Sequence, residues 1–252
     1  MYSFNIFREA KDNYCIDLIV LCHNCIETTQ NFLDLFYKNT DPYLVHLILL
    51  DNGSTDSTVE FLKEFCLKHK NMSLLLSDKN LGVIGGRNAG YDFTLTRLSE
   101  YNEYLMYLDN DQFVQNGWLE QYLDFLSNKY DLVGVEAWQM NKRFIPIRKI
   151  EHKNEHFTYV GCGGMLIQRK VVDDLGMFDE RFNPAYFEDP DFVFRCYQSG
   201  YKIGWNYDAR IVHFPHQTLG KLSQQEKSRR FTNSLFKFRE KWKGFNLPVL
   251  RN

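Results

Sequence analysis

Along this chain, short continuous apolar runs alternate with stretches whose apolar residues return every three or four positions. Residues 17–21 (DLIVL), 45–50 (VHLILL), 72–76 and 104–108 are largely apolar runs of strand length. Continuity, rather than strict alternation, predicts strands covered on both faces. Between them Phe32, Leu33 and Phe36 fall at helical spacing, and Val59, Leu62, Phe65 and Cys66 do so again. Ser57 with Glu60 three residues on predicts a capping box at the start of that second helix. Strand, polar turn and helix in succession are the grammar of βα units, hence an α/β fold.

The pattern continues towards the C-terminus. Trp118, Tyr122 and Leu126, with Leu119 and Leu123, predict a helix whose apolar stripe faces the core. Residues 131–137, 159–167, 202–206 and 210–214 read as further strands. Residues 139–157 are polar and charged with little periodicity, and read equally as a functional or mobile excursion and as a solvated loop. A helix opens at Phe187-Glu188-Asp189-Pro190-Asp191 and runs through Tyr197, with Gly200 as its stop. Pro190 fits the first turn, which places Asp189 at or near the N-cap, where the helix terminus favours an ionised carboxylate. Phe231, Leu235, Phe238 and Trp242 then share one face of a basic amphipathic helix over 221–244, read as core packing in preference to a membrane-surface element. With no repeat, low-complexity tract or linker, residues 1–252 are expected to form one domain.

Composition narrows the function. The chain is 44% hydrophobic and 16% aromatic, which supports a substantial core. A net charge of −2 gives no pull towards nucleic acid. Residues 1–14 lack the apolar centre of a signal peptide and no later run is long enough to span a bilayer, so a cytoplasmic protein is expected, with peripheral contact at the inner face of the membrane left open. Six cysteines lie mostly in apolar segments and are expected to be reduced. Cys22-His23-Asn24-Cys25 has C-x-x-C spacing but no second ligand pair, so a zinc site is unsupported and a redox role stays open.

The chemistry gathers where apolar runs end. Residues 104–108 lead into Asp109-Asn110-Asp111. Two carboxylates at a strand's C-terminal edge suit a hard divalent cation, and such a cation can hold a diphosphate; the alternative is a solvated turn. Residues 80–90 (NLGVIGGRNAG) carry four glycines that allow either close approach of backbone N–H groups to a ligand or tight packing of a helix on a sheet. The spacing matches neither the dinucleotide fingerprint nor the P-loop. Arg87 within it suits phosphate or carboxylate. Glu188, Asp189 and Asp191 exceed what capping needs, and His213 and His216 stand at a strand exit.

Taken in order, Asp51-Asn52-Gly53-Ser54-Thr55-Asp56, Asn80-Leu81-Gly82 with Gly86-Arg87-Asn88-Ala89-Gly90, Asp109-Asn110-Asp111, Phe178-Asp179-Glu180-Arg181-Phe182, and Glu188-Asp189 followed by His213 resemble the inverting family-2 glycosyltransferases, from about residue 17 to 216. The resemblance implies a GT-A-type three-layer α/β fold with a mostly parallel central sheet, of the nucleotide-diphospho-sugar transferase kind. It implies a nucleotide-sugar donor, UDP- or dTDP-linked, and a glycan or lipid-linked saccharide acceptor. Asp51 would recognise the donor's base, with His23, Asn52, Asp109 and Asn110 also on the donor. Asp111 and His213 (or His216) would ligate Mn²⁺ or Mg²⁺, and Arg87 would support the diphosphate or brace the metal-binding motif. Asp189 would be the general base, with Glu188 holding the acceptor. His23-Asn24 stands where relatives often have threonine or tyrosine.

The chemistry asks for the same set. A leaving nucleoside diphosphate needs its developing charge neutralised, and an acceptor hydroxyl needs a carboxylate to take its proton. A sugar-1-phosphate nucleotidyltransferase would want a glycine-rich basic loop directly after the first strand, where this chain has Cys22-His23-Asn24-Cys25. A non-catalytic carbohydrate-binding protein would have no need of the full acidic set.

Overall fold

The computed structural model describes residues 4–10, 14–96, 102–126, 129–214 and 223–251. In chain order the elements are β1 (Asn5–Arg8), β2 (Ile16–Cys22), α1 (Ile26–Asn39), β3 (Val45–Asn52), α2 (Thr58–Lys68), β4 (Met72–Ser77), α3 (Gly82–Thr96), β5 (Tyr104–Asp109), β6 (Gln112–Val114), α4 (Trp118–Leu126), β7 (Leu132–Gly134), β8 (Ala137–Met140), β9 (Pro146–Lys149), β10 (Tyr159–Val160), β11 (Met165–Gln168), α5 (Arg169–Leu175), α6 (Glu188–Gln198), β12 (Ile203–Trp205), β13 (Ile211–His213) and α7 (Gln224–Lys241). Eight strands form one sheet in the order β1-β4-β3-β2-β5-β11-β7-β12. β4, β3, β2 and β5 run parallel, as do β7 and β12. β11 is antiparallel to both neighbours, and β1 is an antiparallel outer strand.

The near-continuous apolar runs are explained by burial on both faces. Leu18 and Val20 of β2 pack with Leu47, Leu49, Phe32, Phe36 and Trp118 on one side. Ile19 packs with Ile48, Leu50, Ile84 and Tyr107 on the other. Helices α1, α2 and α4 therefore cover one face, and α3, α5, α6 and α7 the other. Leu235, Phe238 and Trp242 of the C-terminal helix are buried, and Phe231 meets Phe187 with ring centroids 5.2 Å apart. Its apolar stripe is core packing. The helix is seen from Gln224 to Lys241, with Gly244 beyond it at φ 80°. The start of the expected span at 221, like His216, lies outside the described residues. Among the described residues no helix is long and apolar enough to cross a membrane.

Five local expectations change. The strand expected over 159–167 is two, β10 and β11, in different sheets, with residues 161–164 between them. Ser57 stands at the N-cap of α2 without a side-chain bond, and Asp56 Oδ1 instead accepts from Thr58 N at 3.0 Å, so the capping box does not form. The strand expected over 131–137 is β7 alone, and the chain turns at Val135-Glu136 into β8. Residues 139–157 are only partly irregular: β8 and β9 pair as a hairpin, β10 extends it to a three-stranded sheet, and 150–157 connect them without a helix or strand. That hairpin hides from pattern reading because β9 is largely exposed and offers no apolar face. The N-cap of α6 is Phe187 in the left-handed region, so Glu188 and Asp189 are already helical.

Candidate active site

Parallel pairing brings several strand ends to one edge of the sheet. In the register, Leu21 of β2 lies beside Asp109 of β5, and Cys22 lies beside Asp51 of β3. The loops leaving these ends, the start of α3, the turn before α6 and the hairpin β8–β9 surround a cleft of about 1030 Å³. His23, Asn52, Arg87, Asp109, Asn110, Asp111, Glu188, Asp189 and His213 all line it. Asp51 does not. It is buried behind the loop, with Oδ2 accepting from Ser54 N at 3.1 Å and Oδ1 lacking a protein partner.

The aspartates owe their placement to a tight turn. β5 ends at Asp109, whose N–H donates to Gln112 Oε1 at 3.0 Å, and β6 starts at Gln112. β13 pairs antiparallel with β6 and sets His213 opposite Gln112. Carboxylate oxygens of Asp109 and Asp111 and a ring nitrogen of His213 then lie within 4.8 Å of one another. Two carboxylates and an imidazole form a donor set that a divalent cation of the Mg²⁺ or Mn²⁺ kind fits. His213 Nε2 stands 3.4 Å from Asp111 Oδ1, and Nδ1 stands 3.0 Å from Glu136 Oε1. Burial pulls the imidazole down, but its bonds to Asp111 and Glu136 outweigh that and raise it to about 10. Gly163 borders the cluster for a steric reason: a Cβ there would come 2.6 Å from Asp109 Oδ2.

Arg87 joins this cluster to the acid pair. It is buried in α3, with Nη2 2.7 Å from Asp109 Oδ1 and Nη1 3.8 Å from Glu188 Oε1. Burial opposes its charge, yet Asp109, Asp189 and Glu188 outweigh that and hold it fully protonated. The glycines around it serve packing: a Cβ on Gly90 would meet Ile19 Cγ2 at 2.6 Å, so α3 lies close on β2. Glu188 Oε2 and Asp189 Oδ1 are both buried without a protein partner. Burial, with the charge of Asp189, pushes Glu188 up. Asp189 is also raised by burial, against the pull of Arg87 and a bond from Cys162. The expectation that a helix terminus keeps Asp189 readily ionised is thus corrected, because desolvation wins over the dipole.

Asp191 separates from its neighbours. It is fully buried and receives Trp242 Nε1 at 2.9 Å, Lys241 Nζ at 2.6 Å and Arg195 Nε at 3.1 Å, so it anchors α7 and stays out of the cleft. Asn52 lines the cleft, but Oδ1 accepts from Leu81 N at 2.8 Å and Nδ2 donates to Gly82 O at 3.1 Å, holding the start of α3. Asn110 Nδ2 donates to Thr29 Oγ1 at 2.9 Å. His23 Nδ1 is buried without a partner. All six cysteines are free, and burial, with the charge of Asp51, pushes Cys22 up to about 12, which counts against a redox C-x-x-C. Glu136, Trp138, Tyr159, Tyr186 and Arg230 also line the cleft and escaped the sequence reading. Only Glu136 carried a signal, as a lone acid inside an apolar run.

A mostly parallel sheet that gathers a cation-sized acidic cluster and a buried acid pair at its strand ends is the arrangement of the GT-A glycosyltransferases. The chain belongs to glycosyl transferase family 2, whose family model matches residues 17–176. A protein of Haemophilus influenzae, described as an uncharacterized glycosyltransferase, is 33% identical over 211 residues, covering 82% of this chain and 80% of that one. Among solved structures, the mannosyltransferase PcManGT from Pyrobaculum calidifontis, in complex with GDP-Man and Mn²⁺, superposes with a TM-score of 0.66 at 13% identity, covering 98% of this chain and 69% of that one. S. aureus TarS 1–349 in complex with UDP-GlcNAc gives a TM-score of 0.61 at 15% identity over 82% of this chain. The chain spans only 61% of that structure, and at such identities the likeness is one of fold.

Proposed function

We propose that this chain is a metal-dependent inverting glycosyltransferase that moves a hexosyl or N-acetylhexosaminyl group from a UDP- or dTDP-sugar to a hydroxyl of a glycan or lipid-linked saccharide. The observation that carries this reading is the shared cleft. The cation-sized cluster and the acid pair open into the same space, with Arg87 between them. Asp109, Asp111 and His213 would hold Mn²⁺ or Mg²⁺. When bound, such a cation supplies Lewis-acid neutralisation of the charge that develops on the leaving diphosphate.

The remaining work falls to the chain. For the unpartnered Oδ1 of Asp51 to accept from an imide N–H of uracil or thymine, the 52–56 loop that covers it has to shift when the donor binds. Arg87 keeps Asp109 oriented and offsets the like charges around it. Asp189 takes the proton of the acceptor hydroxyl, and Glu188 holds that hydroxyl or assists. A carboxyl raised towards working pH is the better base, since proton-transfer driving force grows with its pKa. Direct displacement by the acceptor inverts the anomeric centre and needs no covalent nucleophile. Residues 1–252 act in this reading as one catalytic domain closed by α7. Family membership takes the place of the nucleotidyltransferase alternative, and donor hydrolysis with and without Mn²⁺ separates an enzyme from a non-catalytic binder.

The test is calorimetry of a nucleotide-sugar panel against the full chain with Mn²⁺ and with excess EDTA. Binding of a uridine or thymidine donor should require the cation and weaken sharply in Asp111→Ala, and Asp51→Ala should raise the donor's Kd in a folded protein. Unchanged affinity in EDTA would overturn the metal dependence. Tighter binding of a purine nucleotide would overturn the role of Asp51.

A further inference from the structure

Glu136 stands in the turn between β7 and β8, partly buried at the lip of the cleft. Its position is fixed from two sides. Its backbone carbonyl accepts from Gly161 N at 2.9 Å, which ties the turn to the segment leaving β10. Its Oε1 receives Lys149 Nζ of β9 at 2.7 Å. The same Oε1 lies 3.0 Å from His213 Nδ1.

His213 needs such a partner. The pairing of β13 with β6, and the bond from Phe214 N to Asp111 O at 2.9 Å, set its backbone beside the cluster. Neither contact fixes the rotation of the imidazole, because β13 belongs to a two-stranded ribbon that is partly exposed. A neutral imidazole can carry its proton on either nitrogen, and only the form protonated at Nδ1 presents a lone pair at Nε2. Nε2 is the nitrogen that faces Asp111.

We propose that Glu136 is a positioning residue for the cation site. It accepts the Nδ1–H of His213, which fixes both ring rotation and tautomer, and leaves Nε2 to a divalent cation alongside Asp109 and Asp111. Lys149 holds Glu136 in that pose, so the hairpin β8–β9 has a part in the site. Glu136 is not itself a ligand. Its Oε1 is occupied by His213 and Lys149, and it stands outside the group of donor atoms that lie within 4.8 Å of one another. A carboxylate behind a ligating histidine is the usual way in which ring orientation and ligand basicity are set.

The inference rests on the cation-dependent reading of the cleft, and its test uses Mn²⁺ alone, without donor or acceptor. Mn²⁺ affinity is measured on the full chain by calorimetry, and the ¹⁴N coupling of a ligating imidazole is read by pulsed EPR. Glu136→Ala should weaken Mn²⁺ binding by about 10–100-fold, the span usual for loss of such a partner, and diminish the ¹⁴N coupling. Glu136→Gln, whose amide oxygen still accepts from Nδ1–H, should restore most of both. Lys149→Met should give a smaller loss in the same direction. His213→Ala should abolish the coupling. Glu136→Asp, which keeps the ion pair but withdraws the carboxylate from the ring, should follow Glu136→Ala and serves if that variant folds poorly. Wild-type affinity and coupling in Glu136→Ala or Glu136→Asp would overturn the proposal by itself. A wild-type protein that binds no Mn²⁺ would overturn the cation reading and the proposal with it.

Discussion

A carboxylate takes its chemistry from its surroundings, and Glu188, Asp189 and Asp191 show two outcomes within four positions. Asp191 is matched by Arg195, Lys241 and Trp242 and is structural. Glu188 and Asp189 each keep a buried oxygen without a protein partner, and both carboxyls are raised by desolvation. If Asp189 is the base, Asp189→Asn should keep donor binding and melting temperature and lose transfer by about two to four orders of magnitude, the range of general-base catalysis. Glu188→Gln should lose less. Near-normal transfer by Asp189→Asn beside an inactive Glu188→Gln would exchange the two roles. The raised carboxyls also set the sign of the pH profile. The base must be ionised, so transfer should rise with pH along a limb lying above the ordinary carboxylate range of about 4. Because the two groups are coupled, the limb belongs to the pair and not to either residue. A limb at or below about pH 4 in single-turnover rates would count against a desolvated base.

At the scale of elements, packing decides where the glycines stand and what the sequence could reveal. α3 carries Gly86 and Gly90 against β2, and a Cβ on Gly90 would lie 2.6 Å from Ile19 Cγ2. Ile19 is buried and branched, so it cannot swing away. Gly90→Ala should therefore destabilise the fold by about 1–3 kcal/mol, as overpacking does, despite alanine's better helix propensity. Urea denaturation checks this, and a stabilised variant would show that α3 can lift off the sheet at no cost. The elements legible in the sequence are those with a buried face: β2 to β5 as apolar runs, α1, α4 and α7 as stripes. The hairpin β8–β9 was illegible because β9 is exposed, and the α2 cap because Asp56, one residue earlier, accepts from Thr58 N in place of a Ser57 bond. In the cleft, residues at strand ends announced themselves as acids after apolar runs. Trp138, Tyr186 and Arg230 did not, since what brings them there is the packing of the hairpin and α7 around the opening.

The whole molecule divides its sheet between two polar edges. The C-terminal ends of β2, β3 and β5 open into the cleft, which Glu188 and Asp189 line with raised and partly unpartnered carboxyls. The opposite edge holds a buried network whose only trace in the apolar runs is the polar residues that interrupt them, Asp17, His46 and Ser73. Asp17, second residue of β2, lies 2.7 Å from His46 Nδ1 of β3 and pairs with Arg169 at the start of α5. Asn102 Nδ2 donates to it at 2.8 Å, His46 Nε2 meets Ser73 Oγ at 2.7 Å, and Arg169 Nη1 donates to Thr94 Oγ1 at 3.0 Å. The network links β2, β3, β4, β11 with α5, and α3. Burial alone would raise the Asp17 carboxyl, but the bonds and charges of His46, Arg169 and Asn102 outweigh it and hold the group below its ordinary value. A carboxyl depressed on folding adds stability that is fully present above its unfolded pKa of about 3.9 and is lost as pH falls through the folded value. Asp17→Asn removes the carboxylate that pairs with the buried Arg169 guanidinium, and should cost about 3–5 kcal/mol at neutral pH. The difference between the two proteins should hold from pH 7 to pH 5 and shrink below about pH 4, where Asp17 of the unfolded wild-type chain begins to take up its proton while the folded carboxyl stays ionised to lower pH. Urea denaturation at pH 7, 5 and 3 measures it. A difference that persists undiminished at pH 3 would mean that Asp17 acts through packing and hydrogen-bond geometry, with its charge contributing little.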